Sequence, residues 1–216
     1  MTRSPLPILN PGPDGLTLSG APAGADAPHR QGRAAQATAG PDAPFFPYLR
    51  VIETERLRLL PPQARHIAAY TAFVASDRAA ARGWSAMPHE AWRNFAAILG
   101  HQLLRGFGPY VLEAKADGRA IGLCGPWWPD GQAEREIKWS IWTDADEGKG
   151  YAHEAARAML TDAFATLNWP TAVSYIAFDN TRSATLARRL GATEDGTWTT
   201  PRGTEVRVFR HPKGAA

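Results

Sequence analysis

Two stretches carry residue types at spacings that could do chemistry. The first is Glu147-Gly148-Lys149-Gly150-Tyr151-Ala152, which joins a strand-like run, Glu136 to Trp142, to an alanine-rich run starting near Tyr151. Its glycines let the backbone turn tightly and leave the amides uncovered by side chains. A helix beginning at Tyr151 would add unpaired N–H groups and the positive end of its dipole. The junction is therefore a candidate anion site, able to hold a pyrophosphate through the main chain. A glycine turn before an ordinary helix accounts for it as well. A Walker loop is excluded, because Gly150 rather than Ser or Thr follows Lys149. A dinucleotide fingerprint would want its third glycine where His153 stands.

The second stretch is Asn180 to Gly191. Asn180 suits a helix N-cap and Gly191 the position after the helix end, with Ser183 in the first turn. Arg182, Arg188 and Arg189 could meet phosphates or form a solvated face. Other candidates fall away. His153-Glu154 lacks the second histidine of a zinc motif, position 157 being Arg157, so no metal site is expected. Cys124 has no sequence-local base and reads as a small buried hydrophobe.

The elements that must position these residues follow from periodicity. Glu53 to Leu59 alternates polar and apolar, a first strand stopped by Pro61-Pro62. Gln63 to Ser76 places Ile67, Tyr70, Phe73 and Val74 on one helical face. After a break at Gly83, a helix from His89 puts Trp92, Phe95, Leu99 and Leu103 on a core stripe and ends at Gly106. Tyr110–Ala116 and Ala120–Gly125 flank Asp117-Gly118, a hairpin signal. Trp127 and Trp128 follow, and in an extended chain they point opposite ways, one inward and one toward a cleft. Along Glu136 to Trp142, Ile137, Trp139 and Ile141 share one face, and Glu136, Lys138, Ser140 and Trp142 the other. The helix from Tyr151 turns Ala155, Ala156, Met159, Ala163 and Phe164 to the core. Strands at Ala172–Ala177, Thr193–Thr199 and Thr204–Arg210 complete the set.

This order of elements, with Glu136-Ile137, Gly-Lys-Gly-Tyr-Ala, Glu154-Ala155, Asn180, Ser183 and Leu190-Gly191, resembles the GNAT superfamily of acetyltransferases. More narrowly it is similar to the branch that includes the ribosomal-protein N-terminal acetyltransferases, whose opening strand Thr54-Glu55-Arg56-Leu57-Arg58-Leu59 looks like. The likeness runs from about Val51 to Arg210. It implies an α+β fold with a mixed, mostly antiparallel sheet that splays between the strands ending at Trp142 and Ala177. It implies acetyl-coenzyme A as donor, held by Ile141, Trp142, Thr143, the run Glu147, Gly148, Lys149, Gly150, Tyr151 and Ala152, and by Asn180 and Ser183. Glu136 matches the family's strand glutamate, proposed to deprotonate an acceptor amine; its other role is a partner for Lys138 or Arg135. Ser183 matches a residue near the leaving thiolate. Trp127 and Trp128 are candidates for the acceptor cleft. The family usually carries Gln or Arg where Glu147 stands, and Asp144 and Asp146 add carboxylates beside the phosphate loop, an arrangement expected to weaken donor binding. Many relatives place a tyrosine acid where this chain has Ala187.

The expected reaction is acetyl transfer to a primary amine, on a peptide N-terminus or a small molecule, by direct attack, since no Cys–His or Ser–His pairing is visible. The alternative is a non-catalytic coenzyme-A-binding module. At 216 residues the chain suits one domain, 45–216, behind an Ala/Pro/Gly-rich tail, 1–44, that lacks aromatic residues and reads as flexible. A net charge of +3 without a clustered basic patch argues against nucleic acid. No apolar run reaches membrane-spanning length and no leader peptide is visible, so the chain reads as cytoplasmic. Oligomeric state stays open, a homodimer among the options.

Overall fold

The computed structural model describes residues 49–81 and 87–214. The tail at 1–44 and the break at Gly83 lie outside these residues. The described chain runs β1 (Ile52–Glu53), β2 (Leu57–Leu60), α1 (Ile67–Val74), α2 (Asp77–Ala80), α3 (Pro88–Arg105), β3 (Tyr110–Ala114) and β4 (Ala120–Trp127). It continues with β5 (Glu136–Ile141), α4 (Tyr151–Ala165), β6 (Ala172–Ile176), α5 (Thr181–Arg189), β7 (Thr193–Thr199) and β8 (Glu205–His211). The eight strands form one sheet in the order β1-β2-β3-β4-β5-β6-β8-β7. Every neighbouring pair is antiparallel except β5 with β6. The expected α+β architecture, with its mostly antiparallel sheet, is the one observed.

A core lies on each face of the sheet. On one, Leu57, Leu59, Leu112 and Ile137 meet Ala155, Ala156, Met159 and Ala163 of α4. The small residues of α4 let it lie close to β4 and β5. On the other, Tyr70, Phe73 and Val74 of α1 and Phe95 and Ile98 of α3 meet Val111, Leu123 and Trp142. Period-two alternation sends Val111 and Leu112 to opposite cores. The pairing of β3 with β4 skips Ile121, because Glu113 faces Ala120 while Leu112 faces Gly122. That bulge lets Ile121 join the α4 core although Leu123, two residues on, faces α1 and α3.

Two sequence expectations change. Glu53 to Leu59 is not one strand. Ile52 pairs with Leu59 and Glu53 with Arg58, so the chain reverses through Thr54–Leu57. The Thr54 hydroxyl oxygen accepts from Leu57 N–H at 3.1 Å and stabilises the turn. On α3, Phe95 is buried but Trp92 is 56% exposed. The inward stripe runs instead through Ala91, Phe95, Ile98, His101 and Gln102, because the helix starts at Pro88 and buried polar groups share its face. His101 Nδ1 bonds the Phe107 carbonyl at 2.8 Å and Gln102 Nε2 donates to Pro109 O at 2.7 Å.

Candidate active site

β5 and β6 pair through a single register position, Glu136 with Val173, with Val173 N–H donating to Arg135 O at 3.0 Å. Beyond it the strands part. The Ser174 hydroxyl donates to Ile137 O at 2.6 Å and lies 2.9 Å from His211 Nε2. Ile137 O can only accept, so the serine proton points to it and His211 Nε2–H donates to the serine oxygen. This buried Ser–His contact escaped the sequence reading. Its histidine is a donor and not a base, so it does not supply an activated nucleophile.

The wedge between the strands opens into a cavity of about 1240 Å³. Its walls are β5 from Glu136 to Ile141, the loop and first turn of α4, the end of β6, and the first turns of α5. Of the expected donor contacts, Ile141, Glu147, Gly148, Gly150, Tyr151, Ala152, Asn180 and Ser183 line it. Trp142 does not; its ring packs between Tyr70 and Phe73, at 5.6 and 6.1 Å. Thr143 and Lys149 are also absent from the walls, and serve the loop from behind.

Gly148 and Gly150 take φ of 75° and 83°, the left-handed region open to glycine. Glu154 N–H donates to Gly150 O at 3.0 Å as the first helical bond, so the amides of Tyr151, Ala152 and His153 have no helical partner. The loop is braced from the β1–β2 turn. Glu154 Oε1 accepts from the Thr54 hydroxyl at 2.6 Å and from Arg56 N–H at 2.8 Å, while Oε2 accepts from Arg56 Nε at 2.7 Å. Arg56 Nη1 also donates to Lys149 O at 2.9 Å, and its guanidinium lies over the Tyr151 ring. The sequence offered a signal for this brace: Thr54 and Arg56 are polar residues two apart at a strand start. Only the fold brings Glu154 to them.

The acidic residues near the loop are each neutralised. Asp146 is buried, accepts from Thr143 Oγ1 at 2.6 Å and takes both Arg119 terminal nitrogens at 3.1 and 3.2 Å. Arg119 holds its carboxyl below the usual range. Asp144 bonds Arg78. Glu147 receives Arg78 on Oε2 and Arg182 on Oε1, each at 2.7 Å. With Lys149 Nζ 3.8 Å from Asp146 Oδ1, the three carboxylates face Arg119, Lys149, Arg78 and Arg182, and the loop is not the uncompensated negative patch that the sequence suggested.

Glu136 sits at the fork, half-buried on the cavity wall. Burial raises its carboxyl above the ordinary value, against smaller opposing effects from Lys138, Gln132 and the Tyr175 backbone. Gln132 Nε2 lies 3.3 Å from Glu136 Oε2. Tyr175, on the same wall, has its phenol pushed up to about 12 by burial. Asn180 Oδ1 accepts Ser183 N–H at 3.1 Å as the α5 cap. Ser183 Oγ accepts from Trp139 Nε1 at 3.3 Å. Ala187 is wholly buried among Ile176, Ala184 and Phe209. Trp127 and Trp128 do not line the cavity. Trp127 stacks on His101 at 4.5 Å, and Trp128 lies between the guanidiniums of Arg105 and Arg135.

The wedge fits a long donor with an anionic end. Parted strands leave the β6-facing edge of β5 without ladder partners between Ile137 O, taken by Ser174, and Ile141 O, taken by Arg78, and the glycine loop gathers N–H groups at one end. The family described as acetyltransferase (GNAT) domain matches residues 56–193. The chain belongs to the GNAT acetyltransferases. A crystal structure of an acetyltransferase from Agrobacterium tumefaciens is 31% identical, with 84% of this chain and 99% of that one covered and a TM-score of 0.69. A putative ribosomal-protein-serine acetyltransferase from Vibrio cholerae shares the fold at 18% identity, covering 74% and 96%, TM-score 0.63. So does the ribosomal L7/L12 α-N-protein acetyltransferase RimL in complex with coenzyme A, at 15% identity, covering 77% and 100%, TM-score 0.63. The protein is an acetyl-coenzyme-A-dependent N-acetyltransferase. Catalysis, rather than the binding-module alternative, is what the family supports. Among the described residues no helix is long and apolar enough to cross a membrane.

Proposed function

We propose that the acceptor amine attacks the donor carbonyl directly, with Glu136 taking its proton through water and Ser183 serving the departing sulfur. Acetyl-coenzyme A supplies the thioester. The C–N bond forms as the C–S bond breaks, one proton passes from nitrogen through water to Glu136 and on to solvent, and the thiolate takes a proton from the Ser183 hydroxyl, which recovers one from the water beside it, or from that water directly. The observation that carries this reading is the position of Glu136 at the fork, with burial holding its carboxyl above the ordinary range and nearer to what a general base needs. A β5 amide facing the thioester oxygen would stabilise the charge that develops there.

The donor's phosphates are assigned to the amides of Gly148 to Ala152, and its arm to the β5 edge up to Ile141 and to Asn180. The acceptor is a peptide N-terminus or small-molecule amine. The acceptor side is assigned to Tyr175, Thr204 and Val206, which line the wedge together with Phe73 and Arg78. Trp127 would act on the acceptor only through Lys138, which lines the wedge and whose Nζ lies 4.9 Å from the Trp127 ring centre, and Trp128 would act only through Arg105 or Arg135. A cytoplasmic setting is proposed, with no role for nucleic acid or membrane and with a homodimer as one assembly. Acetyl release measured against panels of peptides and small amines tests the reading. Thiol release that no amine raises above the rate of hydrolysis in its absence would overturn it.

A further inference from the structure

The loop that carries Glu147 follows β5, and the helix that carries Arg182 follows β6. Their ion pair therefore runs from one arm of the splayed fork to the other. Arg78, from α2, completes the strap: its Nη1 binds Glu147 Oε2, while its Nε donates to Ile141 O at 3.0 Å and its Nη1 also meets Asp144. All three side chains line the cavity. The two arginines are held unequally. Arg78 is mostly buried and has three acceptors, whereas the Arg182 side chain is 70% exposed and bonds Glu147 alone among the described residues. The weak member is thus the one on the β6 arm.

We propose that Glu147 selects for phosphorylated acyl donors by holding Arg182 across the mouth of the wedge until an anion of the donor takes its place. A pantetheine arm entering between β5 and β6 must separate the Glu147–Arg182 pair. A donor bearing a pyrophosphate at the α4 N-terminus offers Arg182 a replacement acceptor of higher charge. A phosphate-free thioester opens the same strap and recovers nothing. Arg78 stays in place throughout, held by Ile141 O and Asp144, and keeps Glu147 from swinging into the phosphate position. An exposed ion pair shifts an equilibrium by about fivefold at most, so the strap tunes selectivity and does not bar entry. The proposal rests on the wedge being the donor site.

The test compares coenzyme A with pantetheine on the full chain, by calorimetry for the first and NMR titration for the second. Arg182→Ala should move the two ligands in opposite directions. Coenzyme A should weaken severalfold through loss of a phosphate partner, and pantetheine should tighten about two- to fivefold through loss of the strap. Glu147→Gln should tighten pantetheine similarly, although that ligand carries no charge to be repelled. Added salt should weaken coenzyme A binding and strengthen pantetheine binding to the wild type. Pantetheine affinity unchanged in both variants, or both ligands weakened by Arg182→Ala, overturns the proposal. Wild-type protein that binds neither ligand overturns the donor-site reading first, and this inference with it.

Discussion

Ser174 Oγ donates to Ile137 O one residue beyond the last β5–β6 pair, and so satisfies a carbonyl that the parting strand would leave bare. The hydroxyl replaces a ladder bond and fixes where the fork begins. Ser174→Ala leaves that carbonyl and His211 Nε2 without partners in a buried site. A loss of about 1–3 kcal/mol is expected in denaturant unfolding. The Michaelis constant for the donor should rise as well, because the wedge loses its fixed apex. A variant as stable as the parent would show that the strands part without the pin.

Glu136 should trade stability for turnover. Its folded pKa is raised by burial, so the native state holds its proton more tightly than the unfolded chain does. The stability it contributes is present below the ordinary carboxylate range and is lost as pH rises through the raised value. Above that raised value the ionised, half-buried carboxylate is a cost. Glu136→Gln should lower kcat about 10²–10⁴-fold for a lysine-like acceptor. The loss should be smaller for an α-amine, about a tenth of which is already neutral at pH 7. The same variant should melt higher, by about 2–4 °C for each kcal/mol relieved. The acid limb of the kcat/KM profile should vanish with it. Full turnover with a good acceptor, where chemistry limits the rate, would remove Glu136 from the mechanism.

Three buried histidines make the fold acid-sensitive. Burial lowers His66, His101 and His211, the last to about 4. His66 and His101 are held as neutral rings by directed bonds, and His211 by its burial. His101 accepts Trp128 N–H on Nε2 at 3.0 Å and bonds Phe107 O through Nδ1. His66 accepts Gln63 N–H on Nδ1 at 3.2 Å and lies 2.8 Å from Glu113 through Nε2. Unfolding lets each ring take up a proton below about pH 6.5. Their stabilisation is therefore complete above that value and is lost as pH falls through each lowered folded pKa. For His211 the window from 6.5 to 4 corresponds to about 3 kcal/mol at most. Unfolding midpoints should drop steadily from pH 7 to 5, and His211→Gln should flatten part of that slope. A flat profile would contradict the neutral-ring assignment.

Arg56 should behave as a positioning residue. It bonds Glu154 twice and the Lys149 carbonyl and lies over the Tyr151 ring, but does not itself line the wedge. Arg56→Ala should weaken coenzyme A about tenfold, in line with losing charge-assisted bonds worth about 1.5–3 kcal/mol that shape the loop. Pantetheine affinity should stay the same, because the loop acts on phosphates. Arg56→Lys should restore little, since one ammonium cannot serve the carboxylate and the carbonyl in that planar arrangement. Equal losses for both ligands would point to general unfolding instead.

The parts of the site that lie close in sequence were readable from it. The strand–glycine–helix junction and the Asn180 cap follow from local periodicity and turn residues, whereas the splay came only from the family resemblance. What escaped was every contact spanning the sheet. Thr54 and Arg56 reach Glu154 about a hundred positions away, and Ser174 meets His211 across a strand pair. The charge balance of the loop failed for the same reason. Glu147, Asp144 and Asp146 are visible as neighbours, but Arg78 and Arg119 reach them from α2 and the β3–β4 turn. The opening hairpin was mistaken for a strand because its alternation is genuine, while the reversal depends on a threonine hydroxyl. Trp92 shows the converse: helical period placed it on a stripe, and buried His101 and Gln102 rotated that stripe away from it.

The order β6-β8-β7 has a consequence for how the chain is made. β8 follows every other described element in sequence, yet it lies inside the sheet, with β6 on one side and β7 on the other. Strands β1 to β5 can assemble as each emerges during synthesis, but β6 keeps one bare edge until residues 205–211 have left the ribosome. An uncovered edge of this kind is a template for pairing with another chain. His211 arrives with that last strand, so the Ser174 pin gains its histidine partner only then. The nascent chain thus passes through a stage with its anion loop in place but one edge of β6 still bare. Ribosomal pausing before residue 205 should expose that stage to aggregation or chaperone capture.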